Sequence, residues 1–143
     1  MQDDHWQELT VAECHRLLAG QHIGRIAMVE RGAPVIFPVT YLFHDDQIVF
    51  RTGEGTKLAA AGRQSSVAFE VDAVDEASRT GWSVLAQGKA AEVTEPAALA
   101  SLRSLELTPW APGDKRHYVR ILPTSITGRR ISVPAGLGAN WLG

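Results

Sequence analysis

Six short segments rich in β-branched and aromatic residues constrain the fold of this chain more than any other feature. They span residues 23–29, 35–43, 48–52, 67–72, 82–90 and 118–122. Side chains of these types pack well on a pleated surface, so segments of this length predict β-strands. Short polar breaks at Arg31-Gly32 and at residues 44–46 allow neighbouring strands to fold back on each other. The sequence therefore predicts a mainly antiparallel sheet of six strands.

Three short helical segments accompany the predicted strands. Residues 10–19 begin with a capping box, in which Thr10 and Glu13 satisfy backbone amides that would otherwise lack a partner. Residues 56–61 and 95–105 form the other two helices, and neither is long enough to cover a doubly wound sheet. Many strands with few helices usually curl into a barrel, because closure removes exposed strand edges. We predict a mainly β (α+β) fold, a six-stranded antiparallel β-barrel with peripheral short helices.

The length of the chain limits what it can enclose. At 143 residues we expect a single domain, residues 1–143, with one hydrophobic core. A domain of this size does not easily enclose a deep cofactor cavity by itself, so a sizeable ligand is expected to need a second subunit. Residues 133–143 lack periodicity and contain several glycines, which predicts a flexible tail or a segment laid over a partner.

The charge balance and the apolar pattern exclude several classes of function. Lysine plus arginine total 14 against 16 aspartate plus glutamate, a net charge of −2, so no broad basic surface is expected to bind nucleic acid. The apolar runs are too short to cross a bilayer, and the first residues lack the pattern of a secretory signal, so we expect no membrane association and a cytoplasmic protein.

Cys14 is the single cysteine, which excludes an internal disulfide, and the five histidines lack metal-ligand spacing, so no metal site is predicted.

One stretch, residues 50–57, has the composition of an anion seat. A strand ends there in a glycine-containing turn and a helix follows, so free backbone amides at the helix start carry partial positive charge. Arg51 and Lys57 add full charges, and Thr52 and Thr56 add hydroxyl donors. These groups predict a site for one terminal phosphate, whereas the alternative is a capped turn with solvated charges. The spacing excludes a nucleotide-triphosphate loop, because no glycine directly precedes the lysine.

Several segments in register resemble one family of proteins. They are Gly24-Arg25-Ile26-Ala27 and residues 34–41, 50–58, 67–72, 80–88 and 120–129, and the resemblance spans roughly residues 8 to 132. In this order they resemble the pyridoxamine 5′-phosphate oxidase-like family of flavin-binding split β-barrels. The resemblance implies the six-stranded antiparallel split β-barrel that the strand pattern also favours. It further implies a homodimer with two FMN sites at the subunit interface.

The resemblance assigns the anion seat to the cofactor phosphate. Thr52, Thr56 and Lys57 match the family segment whose hydroxyls and lysine hold the FMN phosphate. Arg51 lies beside them, either on the phosphate or turned outward. The seat is therefore expected to bind one phosphate rather than to be a solvated turn.

The backbone of residues 35–40 is expected to contact the flavin ring. This segment includes Val39 and Thr40 and matches the family strand whose amides and carbonyls run along the pyrimidine edge of the ring. Pro38 removes one amide from it. Recognition along this strand is therefore expected to come from backbone groups.

Four further residues are placed near the cofactor by the resemblance. Ser83 falls where the family often has a polar side chain on the cofactor, and only one of Trp82 and Ser83 is expected to face it, because strand neighbours point to opposite sides. Trp110 lies in a predicted loop and is expected at a dimer contact or on the far side of the flavin. Arg129 matches a C-terminal position that reaches the neighbouring subunit's site.

The resulting functional prediction is an FMN-dependent oxidoreductase that moves a hydride or electrons to or from a small molecule, with the flavin supplying the redox chemistry. One alternative keeps the fold but binds the deazaflavin coenzyme F-420, and another is a non-catalytic carrier or sensor of flavin, haem or a lipid. No side chain is predicted as a catalytic acid or base. Residues 134–143 contain no arginine, so they lack the Arg-x-His motif of the vitamin B6 oxidases, and the substrate stays open.

Overall fold

The structure is a computed structural model that describes residues 6–110 and 112–132, and strands dominate it. The strands are β1 (Trp6–Glu8), β2 (Ile23–Glu30), β3 (Ala33–His44), β4 (Gln47–Thr52), β5 (Ser66–Asp75), β6 (Thr80–Glu92) and β7 (His117–Ser132). The helices are α1 (Val11–Ala19), α2 (Thr56–Gly62) and α3 (Pro96–Arg103). All six predicted strands and all three predicted helices are present, and β1 is an additional short strand. None of the described helices is long and apolar enough to cross a membrane.

The six predicted strands form a closed antiparallel ring. Their order around the ring is β7-β4-β3-β2-β5-β6, and pairing of β6 with β7 closes it. The short strand β1 pairs with the last part of β7. Closure removes most of the free edges that isolated strands would expose. The predicted six-stranded antiparallel split barrel with peripheral helices is confirmed.

Strand β7 is longer than the sequence predicts. The prediction ends it at residue 122, but the strand continues to Ser132. Residues 123–132 are mostly polar, and their pairing with residues 80–88 of β6 keeps them extended. Tertiary pairing here overrides a weak local preference. The predicted tail at residues 133–143 lies outside the described residues.

The hydrophobic core contains inward-facing strand residues and side chains from two of the helices, α1 and α2. Its largest fully buried side chains include Tyr41, Phe50 and Phe69, and α1 adds Cys14 and Leu18. The Tyr41 hydroxyl donates to the Leu18 carbonyl at 2.5 Å, which attaches α1 to β3. Burial raises the pKa of the Cys14 thiol, so this cysteine packs as a small apolar side chain. These contacts pack α1 against the barrel.

The sheet splits between β3 and β4. Residues 41–44 of β3 pair with β4, whereas residues 33–40 pair with β2 alone. The Tyr41 amide donates to the His22 carbonyl opposite it, so alternate residues of β3 direct their backbone groups at β2. The residues between them, among them Pro38, direct theirs at the open side, where the missing amide of a proline breaks no ladder bond. The split therefore leaves a strand edge with free carbonyls and amides.

Helix α3 packs on the outside of the barrel and positions the chain that follows it. It contributes to a second, smaller apolar cluster whose buried members are Val49, Val93, Leu102, Leu107 and Tyr118. Residues 104–110 and 112–116, which we call the α3–β7 connection, lie between α3 and β7. Because Leu107 is buried in this cluster, the connection is held close to β4 and passes beside the split.

Candidate functional site

A cavity of about 230 Å³ lies at the split, on the outer surface of the barrel. Its walls come from β2, β3, β4, α2 and the α3–β7 connection, and the lining residues are Ile23, Pro38, Val39, Thr40, Arg51, Lys57, Pro109, Trp110 and Lys115. Ligand pockets usually measure roughly 300–1,000 Å³, so this cavity is smaller than a typical cofactor pocket. Half of the ten predicted site residues meet here, namely Val39, Thr40, Arg51, Lys57 and Trp110.

The open edge of β3 borders this cavity. Pro38 and Thr40 line it, and both direct their backbone groups away from β2. The edge therefore offers the Thr40 amide and the Pro38 carbonyl as hydrogen-bond partners. An edge with donors and acceptors in a fixed order can recognise a planar ring that carries alternating amide and carbonyl groups. Contact of this backbone with a flavin ring stays a prediction. The open strand edge that such a contact requires is present.

Lys57 is half-buried at the cavity, in the first turn of α2. Its Nζ lies 4.4 Å from the centroid of the Phe37 ring, a cation–π contact that holds the ammonium group in place. Burial lowers the pKa of Lys57, and the nearby charge of Lys115 lowers it further. Gly55, just before the helix, has a φ of 136°, which side-chain-bearing residues rarely adopt, so this turn needs glycine. The turn thus presents a positioned, partly desolvated cation, which binds phosphate well.

Arg51 anchors the α3–β7 connection. Its Nε donates to the Lys115 carbonyl at 3.0 Å, and its Nη1 donates to the Leu107 carbonyl at 2.9 Å. The connection can approach this closely because Gly53 has no side chain: a Cβ there would lie 2.5 Å from the Asp114 carbonyl oxygen. Contact of Arg51 with a phosphate stays a prediction. The contacts that it makes here keep one wall of the cavity in place.

Trp110 stands at the cavity mouth on the same connection. Its side chain is 77% exposed, although the ring is large and apolar. Its backbone amide donates to Thr40 Oγ1 at 3.3 Å, so the tryptophan is tied to the open edge of β3. An exposed aromatic ring that is held in this way offers a flat surface for a ligand or a partner.

The two predicted threonines of the anion seat lie outside the cavity lining. Thr52 is only 3% exposed, and its side chain lies on the opposite side of β4 from Arg51, because strand neighbours alternate. Thr56 is the first residue of α2 and is half-buried. The cavity of this chain therefore gains its positive charge from Arg51, Lys57 and Lys115, without either threonine hydroxyl in its lining.

The remaining predicted residues lie on β6 and β7. Trp82 is half-buried and packs against the core, while Ser83 is its strand neighbour and pairs with Arg129. The Arg129 guanidinium lies 4.2 Å from the centroid of the Trp6 ring. Around the closed ring, β6 lies three strands from β3 in either direction. These residues therefore do not join the cavity of their own chain.

The sequence interpretation missed several residues of the site. Ile23 and Pro109 add apolar walls, and Lys115 adds a cation. Ile23 pairs with Thr40, so a correct strand register would have placed it. Lys115 lies in a loop without a motif, and only the anchoring by Arg51 brings it to the cavity.

His117, the first residue of β7, joins the cavity region to the barrel. Its Nδ1 lies 2.7 Å from a Glu92 carboxylate oxygen, and its Nε2 lies 3.3 Å from a Glu54 carboxylate oxygen. The hydrogen bond to Glu92 is the main cause that raises the pKa of His117, and Glu54 raises it further. A protonated ring donates to both carboxylates at once, so the imidazolium ties the end of β6 to the turn before α2.

We expect the stability that His117 provides to be lost as the pH rises. Its native pKa lies above the unfolded value of roughly 6.5, so the charged interaction contributes fully below about pH 6.5 and disappears as the pH passes through the native pKa. The His117→Gln variant should therefore show a smaller fall in melting temperature than the wild type between about pH 6 and about pH 9. His22→Gln, at an exposed histidine, serves as the control. The same fall in the wild type and in His117→Gln would contradict this role.

The fold and the site place this chain in one class of proteins, the antiparallel split β-barrels with a cavity at the split. A sequence model of the pyridoxamine 5′-phosphate oxidase family matches residues 10–130, which is most of the chain. This chain belongs to the pyridoxamine 5′-phosphate oxidase family.

Relatives of known sequence and structure agree with this membership. The chain is 38% identical over 129 residues to Rv0080, an uncharacterized protein of Mycobacterium tuberculosis, a match that covers 87% of this chain and 84% of the relative. It is 39% identical to the solved FAD binding protein from Mycobacterium smegmatis, with a TM-score of 0.74 over 88% of this chain and 98% of that one. The FAD and heme binding protein from the same organism is 18% identical, with a TM-score of 0.67 over 92% of this chain and 75% of that one, and supports the fold alone.

Proposed function

We propose that this protein is a flavin-dependent oxidoreductase, with FMN or a larger flavin bound at a homodimer interface, which transfers a hydride or electrons to or from a small molecule. The observation that carries the proposal is the open edge of β3 beside a cavity that also presents the ammonium group of Lys57. A flavin needs both features, because its ring carries amide and carbonyl groups on one edge and its ribityl chain ends in a phosphate. Family membership and the likeness to an FAD binding protein support the same conclusion.

In this proposal the residues of the chain place the cofactor. Lys57 holds the phosphate, and the backbone of Pro38 and Thr40 orients the ring. Ile23 and Trp110 cover apolar surface and exclude water from the ring. A bound flavin supplies the hydride or electron transfer itself. The titratable side chains in the described cavity lining are all basic, so we assign no residue a catalytic proton transfer.

A second copy of the chain is proposed to complete the pocket. The outer face of β2 and β3 exposes apolar side chains, among them Ile36 at 66% and Val29 at 61%. Exposed apolar surface of this kind typically marks a protein contact. In a two-fold dimer each copy offers the same surface to the other. In this proposal Ser83 and Arg129 of one copy contact the cofactor of its partner. This supports a dimer in which each site uses both chains.

The deazaflavin coenzyme F-420 is the second candidate, and one observation favours it. The cavity presents more positive charge than one phosphate requires, because Lys115 lies beside Lys57 and Arg51. The deazaflavin carries a longer acidic tail than FMN, and extra cations would suit it. A non-catalytic flavin carrier on the same fold would use the same cavity. It would differ from an oxidoreductase in that electron donors would not reduce its bound flavin.

Spectroscopy of the purified protein tests the proposal. We expect a flavin absorption band in the protein as purified, or after titration of the apo-protein with FMN, FAD and the deazaflavin. The bound flavin should then be reduced anaerobically by NADH, NADPH or a reduced-deazaflavin system. Protein that stays colourless and takes up none of the three coenzymes would contradict the proposal. Full occupancy without reduction by any of these donors would favour the carrier.

A further inference from the structure

Three charged side chains meet on the outer face of β2 and β5, and we call Arg25, Glu70 and Asp72 the carboxylate cluster. Arg25 lies directly opposite Glu70 in the strand register. Asp72 is two residues further along β5, so its side chain points to the same face as that of Glu70. The Arg25 Nη1 atom lies 4.0 Å from Asp72 Oδ2. The cluster therefore combines two carboxyl groups with one guanidinium.

The carboxylate cluster adjoins the exposed apolar side chains that we assign to the dimer interface. Arg25 and Ala27 are alternate residues of β2, so both face outward, and the register places Ala27 opposite Ile36. A stable interface buries roughly 800 Å² of each partner, which is more than one pair of strands can supply. Strand β5 is the next strand beyond β2. A second copy seated on Ile36 and Val29 is therefore expected to extend over the cluster.

Glu70 is half-buried and binds a proton more readily than an ordinary glutamate. Burial raises the pKa of Glu70 to about 7, the hydrogen bond with Asp72 and the charge of Asp72 raise it as well, and Arg25 opposes them. The side chains that face the two carboxyl groups from β6 are uncharged, namely Ser83, Leu85 and Gln87. Arg25 can balance one of the two carboxylates, and a proton on Glu70 removes the charge of the other.

We propose that the carboxylate cluster makes association of two copies of this chain depend on pH, with up to one proton bound per copy as the dimer forms. When Glu70 is neutral, the charges of Arg25 and Asp72 cancel. When Glu70 is ionised, a two-fold interface buries one uncompensated carboxylate from each copy, which opposes association. This inference rests on the dimer of the proposed function. It adds that the dimer dissociates as the pH rises above neutrality.

Fluorescence-detected sedimentation of the full-length protein measures the dimer dissociation constant at each pH. We expect this constant to rise at least about tenfold between about pH 6 and about pH 8.5, because release of one proton per copy permits up to about 100-fold per pH unit. In Glu70→Gln, which resembles the protonated side chain, the constant should stay within about twofold over the same range. Asp72→Asn should also lose most of the rise, because Arg25 then balances the ionised Glu70.

The matched control is Glu76→Gln, at an exposed glutamate in the turn after β5. It removes the same charge from the chain and should keep the rise of the wild type, because an exposed charge is screened by salt. Melting temperatures at each pH should show that the three variants fold. If Glu70→Gln does not fold, Asp72→Asn decides between the outcomes.

The contrary outcomes separate this inference from the proposed function. A wild-type dissociation constant that does not change with pH would overturn the inference and leave the proposed dimer intact. An equal rise in the wild type, Glu70→Gln and Asp72→Asn would also overturn it, because a group outside the cluster would then bind the proton. A protein that is monomeric at every pH would contradict both the inference and the dimer on which it rests.

Discussion

The Lys57→Met variant is expected to bind flavins about 10- to 100-fold more weakly than the wild type. A hydrogen bond to a charged partner contributes about 1.5–3 kcal/mol, and tenfold in affinity corresponds to about 1.4 kcal/mol. Lys57 is half-buried at the cavity, and its Nζ is already positioned by the Phe37 ring. Methionine keeps an unbranched apolar side chain on Phe37 and removes only the charge. Titration of the apo-protein with FMN and with FAD measures both dissociation constants.

The control for this variant lies at the other end of the same helix. Arg63 follows α2, is exposed, and does not line the cavity. Arg63→Met removes the same charge from the chain and should leave flavin affinity within about twofold of the wild type, because exposed charges are screened by salt. Unchanged affinity in Lys57→Met, or equal losses in both variants, would remove Lys57 from the phosphate site.

The Ile36→Glu variant is expected to be monomeric and to lose flavin binding at the same time. Ile36 is 66% exposed on the outer face of β3, where β2 places Ala27 opposite it. A two-fold interface would bury two unpaired carboxylates per dimer, at a cost of several kcal/mol, which raises the dimer dissociation constant by about 100-fold or more. Because each pocket is proposed to need both chains, dissociation should release the cofactor. Analytical ultracentrifugation and flavin titration measure the two effects.

A second exposed aliphatic position serves as the control for Ile36→Glu. Val11 is 57% exposed at the start of α1, where a glutamate is compatible with the positive end of the helix. Val11→Glu should leave both the oligomeric state and the flavin affinity unchanged. A dimeric Ile36→Glu protein with normal affinity would show that this face is not the interface. A monomeric variant that still binds flavin fully would show that one chain is sufficient.

Elements with a strong local signal could be predicted from the sequence. The capping box of α1 is an example: Thr10 Oγ1 accepts the Glu13 amide, and the Glu13 carboxylate accepts the Thr10 amide, as the spacing indicates. The six strands were recognisable for the same reason, because their side-chain types favour extended backbone. The second half of β7 was not, since residues 123–132 are mostly polar and depend on pairing with β6.

The candidate site could be predicted only in part. Lys57 was recognisable because it follows a glycine-containing turn at a helix start, a local pattern. The role of Arg51 as an anchor was not, because the carbonyls that it binds lie 56 and 64 residues further along the chain. Lys115 was not predicted as a site residue for the same reason, because a contact with the distant Arg51 brings it to the cavity. The predicted roles of the residues on β6 and β7 stay predictions, since the proposal gives them contact with the cofactor only across a second chain.

The sequence by itself determined which segments become strands and helices, and it identified the charged turn before α2. These features depend on neighbouring residues, so side-chain preference and periodicity are sufficient to find them. Only the tertiary structure decided where the sheet splits and which residues line the cavity there. The split depends on how far β4 pairs along β3, and the cavity depends on a connection from α3 that Arg51 and Thr40 hold in place. Contacts between residues so distant in the chain form only when the barrel closes, because closure is what brings their strands together.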